Sequence, residues 1–327
     1  MSVDVTVIIP TYNRLWSLPQ AVESCRGTRC STEIIVVDDG SNDGTWEWLE
    51  EQPDVVAMRS HRWGKPWAVN KAFKYAKGKY VRFLDSDDWL AEGAIDGQFE
   101  LAEETGADVV VSGQQFYRDG ELEHSYDWPH CDDFIAQQLG ECGSSHYSSF
   151  LFRKAFIKDI PHRTSFGGAD FASRDDRCFM IEVSINEPEV AVYDEPALCH
   201  RHHDRGRLQF AAGLRDVGTN IQHLLIYRQA VGILADQGKL TPRRRRAAAK
   251  ALWPLAHWIA RTHPEDAAEV ADWVYRLDPD FDPPEKGALG RLYRKLGFRR
   301  TEQILTFRRR LMAPLRPRPH QSLELPT

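Results

Sequence analysis

Three aspartates lie within four residues at the end of one strand-like segment. Residues 80–84 are mostly aromatic or branched, which favours a β-strand. Because side chains alternate along a strand, Asp85 and Asp87 would point to the same side, with Ser86 between them. Two carboxylates placed in this way are typical ligands for Mg²⁺ or Mn²⁺. The same residues also suit a polar turn with a helix N-cap, and both explanations are open at this point.

Two further strand-like segments also end in polar clusters. Residues 3–10 and 33–37 are near-continuous apolar runs, as expected for buried parallel strands, and helical segments separate the strands. The polar residues that follow them are Thr11, Tyr12 and Asn13 after the first run and Asp38 and Asp39 after the second. This alternation predicts an α/β fold with a doubly wound, mostly parallel sheet, in which ligands bind beyond the carboxyl ends of the strands. We therefore expect the three polar clusters to meet at one edge of one crevice.

Composition and missing motifs narrow the class of protein. The 327 residues are 42% hydrophobic, and no apolar run is long enough to span a bilayer. The first residues lack the basic and apolar regions of a secretory signal, which predicts a cytoplasmic location. None of the six cysteines forms a C-x-x-C pair, which favours free thiols over a zinc site. No G-x-G-x-x-G follows the first strand and no P-loop motif occurs, which argues against Rossmann dehydrogenases and P-loop enzymes.

Three sequence blocks occur at the spacing that is typical of one known family. The blocks are VIIPTYN at residues 7–13, VVDDGSNDGT at residues 36–45 and GKYVRFLDSDD at residues 78–88. In them the chain resembles the family 2 inverting glycosyltransferases, which have the GT-A fold. The resemblance is specific over residues 1–115, is weaker to residue 210 and does not cover the C-terminal third. It implies transfer of a sugar from a nucleoside-diphosphate donor, usually a UDP-sugar, to an acceptor hydroxyl.

The resemblance also implies a donor site at the strand ends. Thr11 and Tyr12 would line the base, with the Tyr12 ring stacked on it, and Asp39 would accept the imide N–H. Relatives often carry an arginine before the asparagine of residues 68–70, and here Arg62 or Lys65 would supply that positive charge to the diphosphate. The predicted donor-site residues are Pro10, Thr11, Tyr12, Asn13, Asp39, Arg62, Lys65, Asn70, Asp85 and Ser86.

The metal ligands and the general base follow from the same resemblance. Asp87 would hold Mn²⁺ or Mg²⁺, and His203, in an Arg-His-His element after a strand, would touch the metal. An acidic pair at the start of a later helix would supply the base, with Asp176 favoured and with Asp175 and Asp170 as alternatives. Acids in a first helical turn also suit the helix dipole, and a loop rich in His and Arg also suits a surface turn.

The chain changes character near residue 210. We expect a catalytic domain over residues 1–210 and a helical domain over residues 211–313, because apolar residues recur there at helical spacing. The proline-rich residues 314–327 are predicted to be disordered. Charge is also uneven, since residues 286–318 contain 11 Lys or Arg and one acid, whereas the first 285 residues carry about −15.

The basic end of the helical domain has two explanations. Leu289, Leu292, Tyr293 and Leu296 form one apolar stripe, so residues 286–313 would lie on an anionic membrane surface at the inner face of the membrane. Alternatively, the stripe packs on the helical domain and the arginines pair with the acidic body. A nucleic-acid partner is disfavoured because that body would repel phosphates. The membrane explanation agrees with the resemblance, since many such transferases extend lipid-linked or cell-envelope glycans.

Two other functions remain as alternatives. Nucleotidyltransferases also combine an α/β sheet with paired acids on a metal, but they usually carry a Gly-rich loop after the first strand. This chain has Pro-Thr-Tyr-Asn-Arg at residues 10–14, which argues against that class. A non-catalytic subunit that binds a sugar nucleotide is the second alternative, and the sequence does not exclude it.

Overall fold

A computed structural model describes residues 2–163, 165–166, 169–170, 174–203 and 214–312. The chain divides into two compact units. The N-terminal unit comprises Met1–Gln138 and Cys142–Leu208, and the helical unit comprises Leu139–Glu141 and Gln209–Thr327. The tail that was predicted to be disordered, residues 314–327, lies outside the described residues.

Eleven strands and eleven helices occur in the described residues. The strands are β1 (Val5–Thr11), β2 (Thr32–Asp38), β3 (Val55–Arg59), β4 (Tyr80–Phe83), β5 (Trp89–Leu90), β6 (Val109–Arg118), β7 (Glu121–Tyr126), β8 (Leu151–Arg153), β9 (Ser165–Phe166), β10 (Ala169–Asp170) and β11 (Val190–His202). The helices are α1 (Leu18–Glu23), α2 (Thr45–Glu50), α3 (Lys65–Phe73), α4 (Ala94–Thr105), α5 (Phe134–Leu139), α6 (Lys154–Ile157), α7 (Asp175–Ile185), α8 (Leu214–Asp236), α9 (Pro242–Ile259), α10 (Pro264–Leu277) and α11 (Gly287–Met312).

The main sheet is mostly parallel. Its strand order is β3-β2-β1-β4-β8-β6-β11-β5, and β7 pairs with β6 outside this path. The short strand β8 is antiparallel to both β4 and β6. Thr11 at the end of β1 pairs in register with Asp38 at the end of β2, and Ile8 pairs with Phe83 at the end of β4. The predicted α/β fold is therefore confirmed, and the three polar clusters leave the sheet at the same edge.

Strand alternation sends neighbouring residues of β1 into two separate cores. Val7 and Ile9 pack with α1, α2 and α4 on one face of the sheet. Ile8 packs with α3 and α7 on the other face. All three side chains are fully buried, which explains why β1 reads as a continuous apolar run. The sheet thus has helices on both faces, and its carboxyl edge is the place left for a site.

A tight hairpin joins β6 and β7. β6 and β7 pair as antiparallel strands, and Asp119 and Gly120 connect them with φ of 52° and 87°. Two consecutive residues with positive φ are typical of a type I′ turn, which the Asp-Gly sequence favours. Residues 147–149 form a 3₁₀ turn, and the short strand β8 begins only after it.

The helical unit has its own core around Trp253. The Trp253 ring is buried and contacts Tyr293 and Phe298 at centroid distances of 5.5 and 5.3 Å. Tyr293 belongs to the predicted membrane stripe, so at this residue the stripe packs on the helical unit, as in the alternative explanation. Leu296, the last residue of the stripe, remains 37% exposed. Helix α11 then bends at Gly297, where φ is 73°. Among the helices that the structure describes, none combines sufficient length with the apolar composition that a bilayer-spanning segment requires.

Candidate active site

The loops after β1 and β2 are fastened to each other. Asn13 has a φ of 51°, a left-handed conformation that asparagine tolerates better than most residues. Its backbone N–H donates to Ser41 Oγ at 2.8 Å, and its side-chain Oδ1 accepts from the Asn42 N–H at 2.9 Å. Pro10 and Thr11 lie buried at the end of β1. The predicted base-binding residues therefore stand on a rigid edge.

Asp39 holds the loop that follows β3. Its carboxylate accepts hydrogen bonds from the N–H groups of Trp63 and Gly64 at 2.9 and 2.8 Å and from the Ser60 hydroxyl. In this loop the Arg62 guanidinium lies over the Tyr12 ring at 4.8 Å. The loop thus brings the predicted diphosphate cation onto the Tyr12 ring, on which the base was predicted to stack.

Lys65 and Asp85 form an ion pair at the centre of the edge. Lys65 Nζ lies 2.7 Å from Asp85 Oδ1, and both side chains are about one-fifth exposed. Burial lowers the pKa of Lys65, but the charges of Asp85 and of the other acidic groups around it together outweigh this effect, and the pKa lies well above its usual value. Lys65 also lies 5.0 Å from the Tyr147 ring centroid. A fixed positive charge is therefore present beside Asp85, the carboxylate that was predicted to bind the donor.

The neighbouring acids, Asp87 and Asp88, face histidines at the end of β11. Asp87 Oδ2 lies 3.1 Å from His203 Nε2 and 3.7 Å from an Arg14 guanidinium nitrogen. Asp88 is buried, its Oδ2 lies 2.9 Å from His200 Nδ1 and its Oδ1 accepts the Arg201 N–H at 2.8 Å. The predicted pair of Asp87 and His203 is thus brought together, with a carboxylate and an imidazole that both suit a divalent cation.

A second set of metal-type ligands lies next to this pair. Ligand atoms of Asp85, Asp88 and His146 all lie within 4.8 Å of one another. His146 was not predicted as a site residue, because it is a lone histidine in a serine-rich segment without a motif. Asp88 belongs to the block at residues 78–88, but its role is not evident from the sequence. The positions of His146 and Asp88 depend on packing between distant parts of the chain. Asp88, for example, contacts His200, which is 112 residues away.

His146 connects the strand-end acids to the predicted base. Its Nε2 lies 3.4 Å from Asp176 Oδ2 and 3.7 Å from Asp85 Oδ2. Burial raises the pKa of Asp176, but the hydrogen bond to His146 and the charge of Lys65 outweigh it and hold the pKa well below its usual range. Asp176 is therefore ionised at neutral pH, and it shares the His146 Nε2 atom with Asp85.

The two alternatives to Asp176 differ from it. Asp175 is buried and its Oδ2 lies 3.4 Å from His162 Nδ1, on the side of a core ring cluster. His162 stacks on Phe179 at 4.3 Å. For Asp170 the structure describes the backbone in β10 but not the side chain. Asp176 is thus the member of its pair that faces the strand-end acids.

Asn70 and Ser86 are engaged within the protein. The Asn70 amide donates to the His162 carbonyl at 2.6 Å and accepts the His162 N–H at 2.9 Å. Ser86 is buried, and its carbonyl accepts the Ser17 hydroxyl at 2.8 Å. Their predicted contacts with a donor remain predictions, and the structure adds a role for each in holding neighbouring chain segments.

A family model matches the part of the chain that carries this site. Residues 6–162 match the family described as Glycosyl transferase family 2. Residues 6–162 thus carry a glycosyltransferase family 2 domain. The matched residues include β1 to β8 and all the strand-end acids, whereas Asp176 and His203 lie beyond them.

Curated relatives agree with this family. The glycosyltransferase GlyG of Streptococcus pneumoniae is 31% identical over 145 residues, which cover 42% of this chain and 48% of GlyG. The Escherichia coli UDP-Glc:alpha-D-GlcNAc-diphosphoundecaprenol beta-1,3-glucosyltransferase WfaP is 36% identical over 103 residues, which cover 30% of this chain and 41% of WfaP. The chain thus spans less than half the length of these relatives.

Solved structures share the fold over most of the chain. Residues 1–349 of TarS from S. aureus, in complex with UDP-GlcNAc, superpose with a TM-score of 0.65 and 18% identity, covering 94% of this chain and 92% of that one. This similarity establishes the GT-A fold of the chain.

Proposed function

We propose that this protein is an inverting glycosyltransferase that moves a sugar from a nucleoside-diphosphate donor to an acceptor hydroxyl. One observation carries the proposal: Asp176 and Asp85 both contact His146 Nε2, at 3.4 and 3.7 Å, at the carboxyl edge of a family 2 domain. Such an arrangement supplies one carboxylate for the donor side and another for the hydroxyl that attacks it. The separate surroundings of the two acids support separate roles.

The donor in this proposal is a UDP-sugar. WfaP is named for a UDP-glucose donor, and the TarS structure contains UDP-GlcNAc, which supports a uridine nucleotide. Tyr12 offers an aromatic face for the base, and Asp39 offers acceptor oxygens for an imide N–H. The Arg62 guanidinium now covers the Tyr12 ring, so donor binding would release it toward the diphosphate.

The charged side chains have different roles in the transfer. Lys65 and Arg14 place positive charge beside Asp85 and Asp87, where the departing diphosphate gains negative charge. Asp176 takes the proton of the acceptor hydroxyl from the opposite side, which leads to inversion. A strongly ionised carboxylate is a weak base, so the proton moves late, after the bond to the donor sugar has weakened. Holding both substrates in one site supplies much of the remaining acceleration.

Mn²⁺ or Mg²⁺ would be held by Asp87 and His203. Their direct contact supplies a carboxylate and an imidazole on one side of the site, and Asp87 is partly exposed, so it remains accessible. A divalent cation there would neutralise charge on the diphosphate leaving group. Asp85, Asp88 and His146 form the second candidate position, but the Asp88 carboxylate is already occupied by His200 and the Arg201 N–H.

The acceptor in this proposal is a cell-envelope or lipid-linked glycan, met at the cytoplasmic face of a membrane. WfaP is named for an acceptor on diphosphoundecaprenol, which supports a lipid-linked substrate. The basic end of the helical unit, with 11 Lys or Arg and one acid over residues 286–318, supports contact with an anionic surface.

A screen of UDP-sugars for UDP release tests this function. With Mn²⁺ present, the purified chain should release UDP from one of them, and Asp87→Asn should abolish the metal-dependent part. The exposed Glu92→Gln variant removes a nearby acid and should behave as the wild type. Binding of UDP without release from any UDP-sugar would contradict the proposal and favour a non-catalytic subunit.

Two matched histidine variants test the position of the metal. His203→Gln should weaken Mn²⁺ binding in the presence of UDP, measured by electron paramagnetic resonance of free Mn²⁺, whereas His146→Gln should leave it unchanged. The reverse result would place the metal on Asp85, Asp88 and His146. If Asp87→Asn in excess EDTA were as active as the wild type with Mn²⁺, the metal would have no part in the mechanism.

A further inference from the structure

The last half of α11 exposes an apolar surface that the predicted stripe did not include. Beyond the bend at Gly297, Ile304 and Phe307 lie on the same side of the helix and are 46% and 65% exposed. Glu302, on the opposite side of the helix, is buried in the helical unit. These two large apolar side chains are not buried in the core of the helical unit. Exposed apolar patches of this kind commonly mark interaction sites.

Arginine side chains flank Ile304 and Phe307. At helical spacing, Arg300 lies one turn before Ile304 on the same side, and Arg299 and Arg308 lie to either side of the pair. Arg300 and Arg308 are exposed and form no ion pair among the described residues, while Arg299 pairs with Glu265 at 2.8 Å. We name Arg300, Ile304, Phe307 and Arg308 the outer face of α11.

The one acid of this segment does not offset the cations. Glu302 points inward, where the Tyr293 hydroxyl donates to it at 2.6 Å and His257 Nδ1 lies 2.9 Å away. Residues 286–312 contain nine Lys or Arg, and Glu302 is their only acid. The outer face is therefore both apolar and strongly positive.

The end of α9 adds an interfacial aromatic residue to the same unit. His257 binds Glu302 of α11, and the next residue, Trp258, is 46% exposed. The Arg261 guanidinium lies over the Trp258 ring at 3.7 Å. An exposed tryptophan beside arginine is typical of side chains that lie at the boundary between water and lipid headgroups.

We propose that the outer face of α11 docks the protein on an anionic lipid surface, with Ile304 and Phe307 in the headgroup boundary. The charge pattern favours lipid over a second copy of this chain, because pairing two such faces would bring like charges together. An anionic membrane instead neutralises the arginines and covers the apolar pair at once. The docking itself is argued from the outer face of α11 alone. Its purpose rests on the proposed function, because docking would place the active protein where a lipid-linked acceptor would be.

Vesicle flotation without any substrate tests the docking. The full-length chain should float with phosphatidylcholine vesicles that contain phosphatidylglycerol at low salt, bind less at high salt and ignore pure phosphatidylcholine. Ile304→Ser with Phe307→Ser should weaken binding at least about tenfold. Arg300→Gln with Arg308→Gln should weaken it by about fivefold for each cation. Leu122→Ser with Val56→Ser, which alters exposed apolar residues of the N-terminal unit, should have no effect.

Three results would overturn the inference. The wild type could stay unbound at low salt, or both outer-face variants could bind as the wild type does. Alternatively, light scattering could show a dimer that Ile304→Ser with Phe307→Ser converts to a monomer, which would make the face a self-association surface. Thermal unfolding of each variant checks its fold. UDP release from a donor alone is measured separately and should not change in these variants, so a failure of docking is distinct from a failure of the proposed activity.

Discussion

Asp175 and Asp176 are adjacent in sequence but belong to different surroundings. Asp175 is buried against His162, which itself stacks on Phe179. Asp176 contacts His146 at the site, and its Oδ1 accepts the Arg177 N–H at 2.7 Å. At the start of a helix, consecutive side chains point about 100° apart, so one acid can serve the core and the other the site.

The first prediction separates these two acids. Asp176→Asn should lower the rate of transfer by about 10² to 10⁴ while UDP affinity stays the same, because only the base is lost. Asp175→Asn should instead lower the melting temperature, because it removes the charge that faces buried His162. Steady-state kinetics, UDP calorimetry and thermal unfolding of both variants give the comparison. Full activity in Asp176→Asn would move the base elsewhere.

Arg82 is a buried cation with few hydrogen-bond partners among the described residues. It is fully buried in β4, one guanidinium nitrogen donates to the Ser148 carbonyl at 3.4 Å, and its other two nitrogens lack a hydrogen-bond partner among the described residues. Burial lowers the pKa of Arg82 to about 10. The side chain fills space between the sheet and its neighbours at an electrostatic cost.

The second prediction follows from that cost. Arg82→Met should raise the free energy of unfolding by about 1–3 kcal/mol, because methionine fills the space without a buried charge. Arg153→Met is the matched control, since Arg153 binds Asp108 at 3.2 Å and the Ala107 carbonyl at 2.9 Å and its loss should destabilise. Urea unfolding measures both. A loss of stability in Arg82→Met would mean that ordered water satisfies the two nitrogens.

Among the elements, α4 holds the turn that leads into β2. Asp96 in its first turn is 7% exposed, and its carboxylate accepts the N–H groups of Arg29 and Cys30, each at 3.0 Å. Burial raises the pKa of Asp96, but these backbone hydrogen bonds outweigh it and the pKa is lowered from 3.8. The carboxylate thus stabilises the turn in its ionised form.

The third prediction is a pH dependence of stability. A carboxyl whose pKa is lower in the folded state stabilises fully above its unfolded pKa of 3.8 and loses this contribution as pH falls through the folded value. Asp96→Asn should therefore lower the free energy of unfolding by about 1.5–3 kcal/mol at pH 7. The difference from the wild type should shrink below about pH 4. Urea unfolding at several pH values measures it, and a difference that stays constant with pH would show that the charge has no part.

The elements were more predictable than the contacts between them. Apolar runs and their polar ends identified β1, β2 and β4 and the shared edge, because strand burial depends on local sequence. His146 and the partner of Asp88 could not be found, since both depend on packing between segments far apart in the chain. Likewise, periodicity alone could not tell that Tyr293 turns inward while Phe307 is exposed, because the bend at Gly297 changes the direction of α11.

At the scale of the whole molecule, the helical unit includes three residues from the middle of the chain. Leu139–Glu141 belongs to it, whereas the residues on both sides belong to the N-terminal unit. The Leu139 carbonyl accepts the Tyr227 hydroxyl at 3.1 Å, and Glu141 pairs with Arg243 at 2.7 Å. Gly140 between them has a φ of 110°, and a Cβ there would lie 2.8 Å from the Ala251 Cβ.

The fourth prediction concerns this glycine. Gly140→Ala should lower the melting temperature by several degrees, because it adds both backbone strain and a close contact. Gly232→Ala is the matched control, since Gly232 lies in α8 with no atom near its absent Cβ. That change should raise stability by about 0.5–1 kcal/mol. An equal response of the two variants would mean that Leu139–Glu141 does not constrain the helical unit.

The position of β11 in the sheet also governs when the site can exist during synthesis. β11 lies between β6 and β5 and delivers His200 to Asp88 and His203 to Asp87. A nascent chain that has left the ribosome only as far as β8 already contains the family 2 blocks and all four strands from β1 to β4, yet it lacks both histidines and Asp176. The acidic edge is therefore made first with Lys65 and Arg14 as its cations, and it gains His200 and His203 only when the ribosome has completed β11.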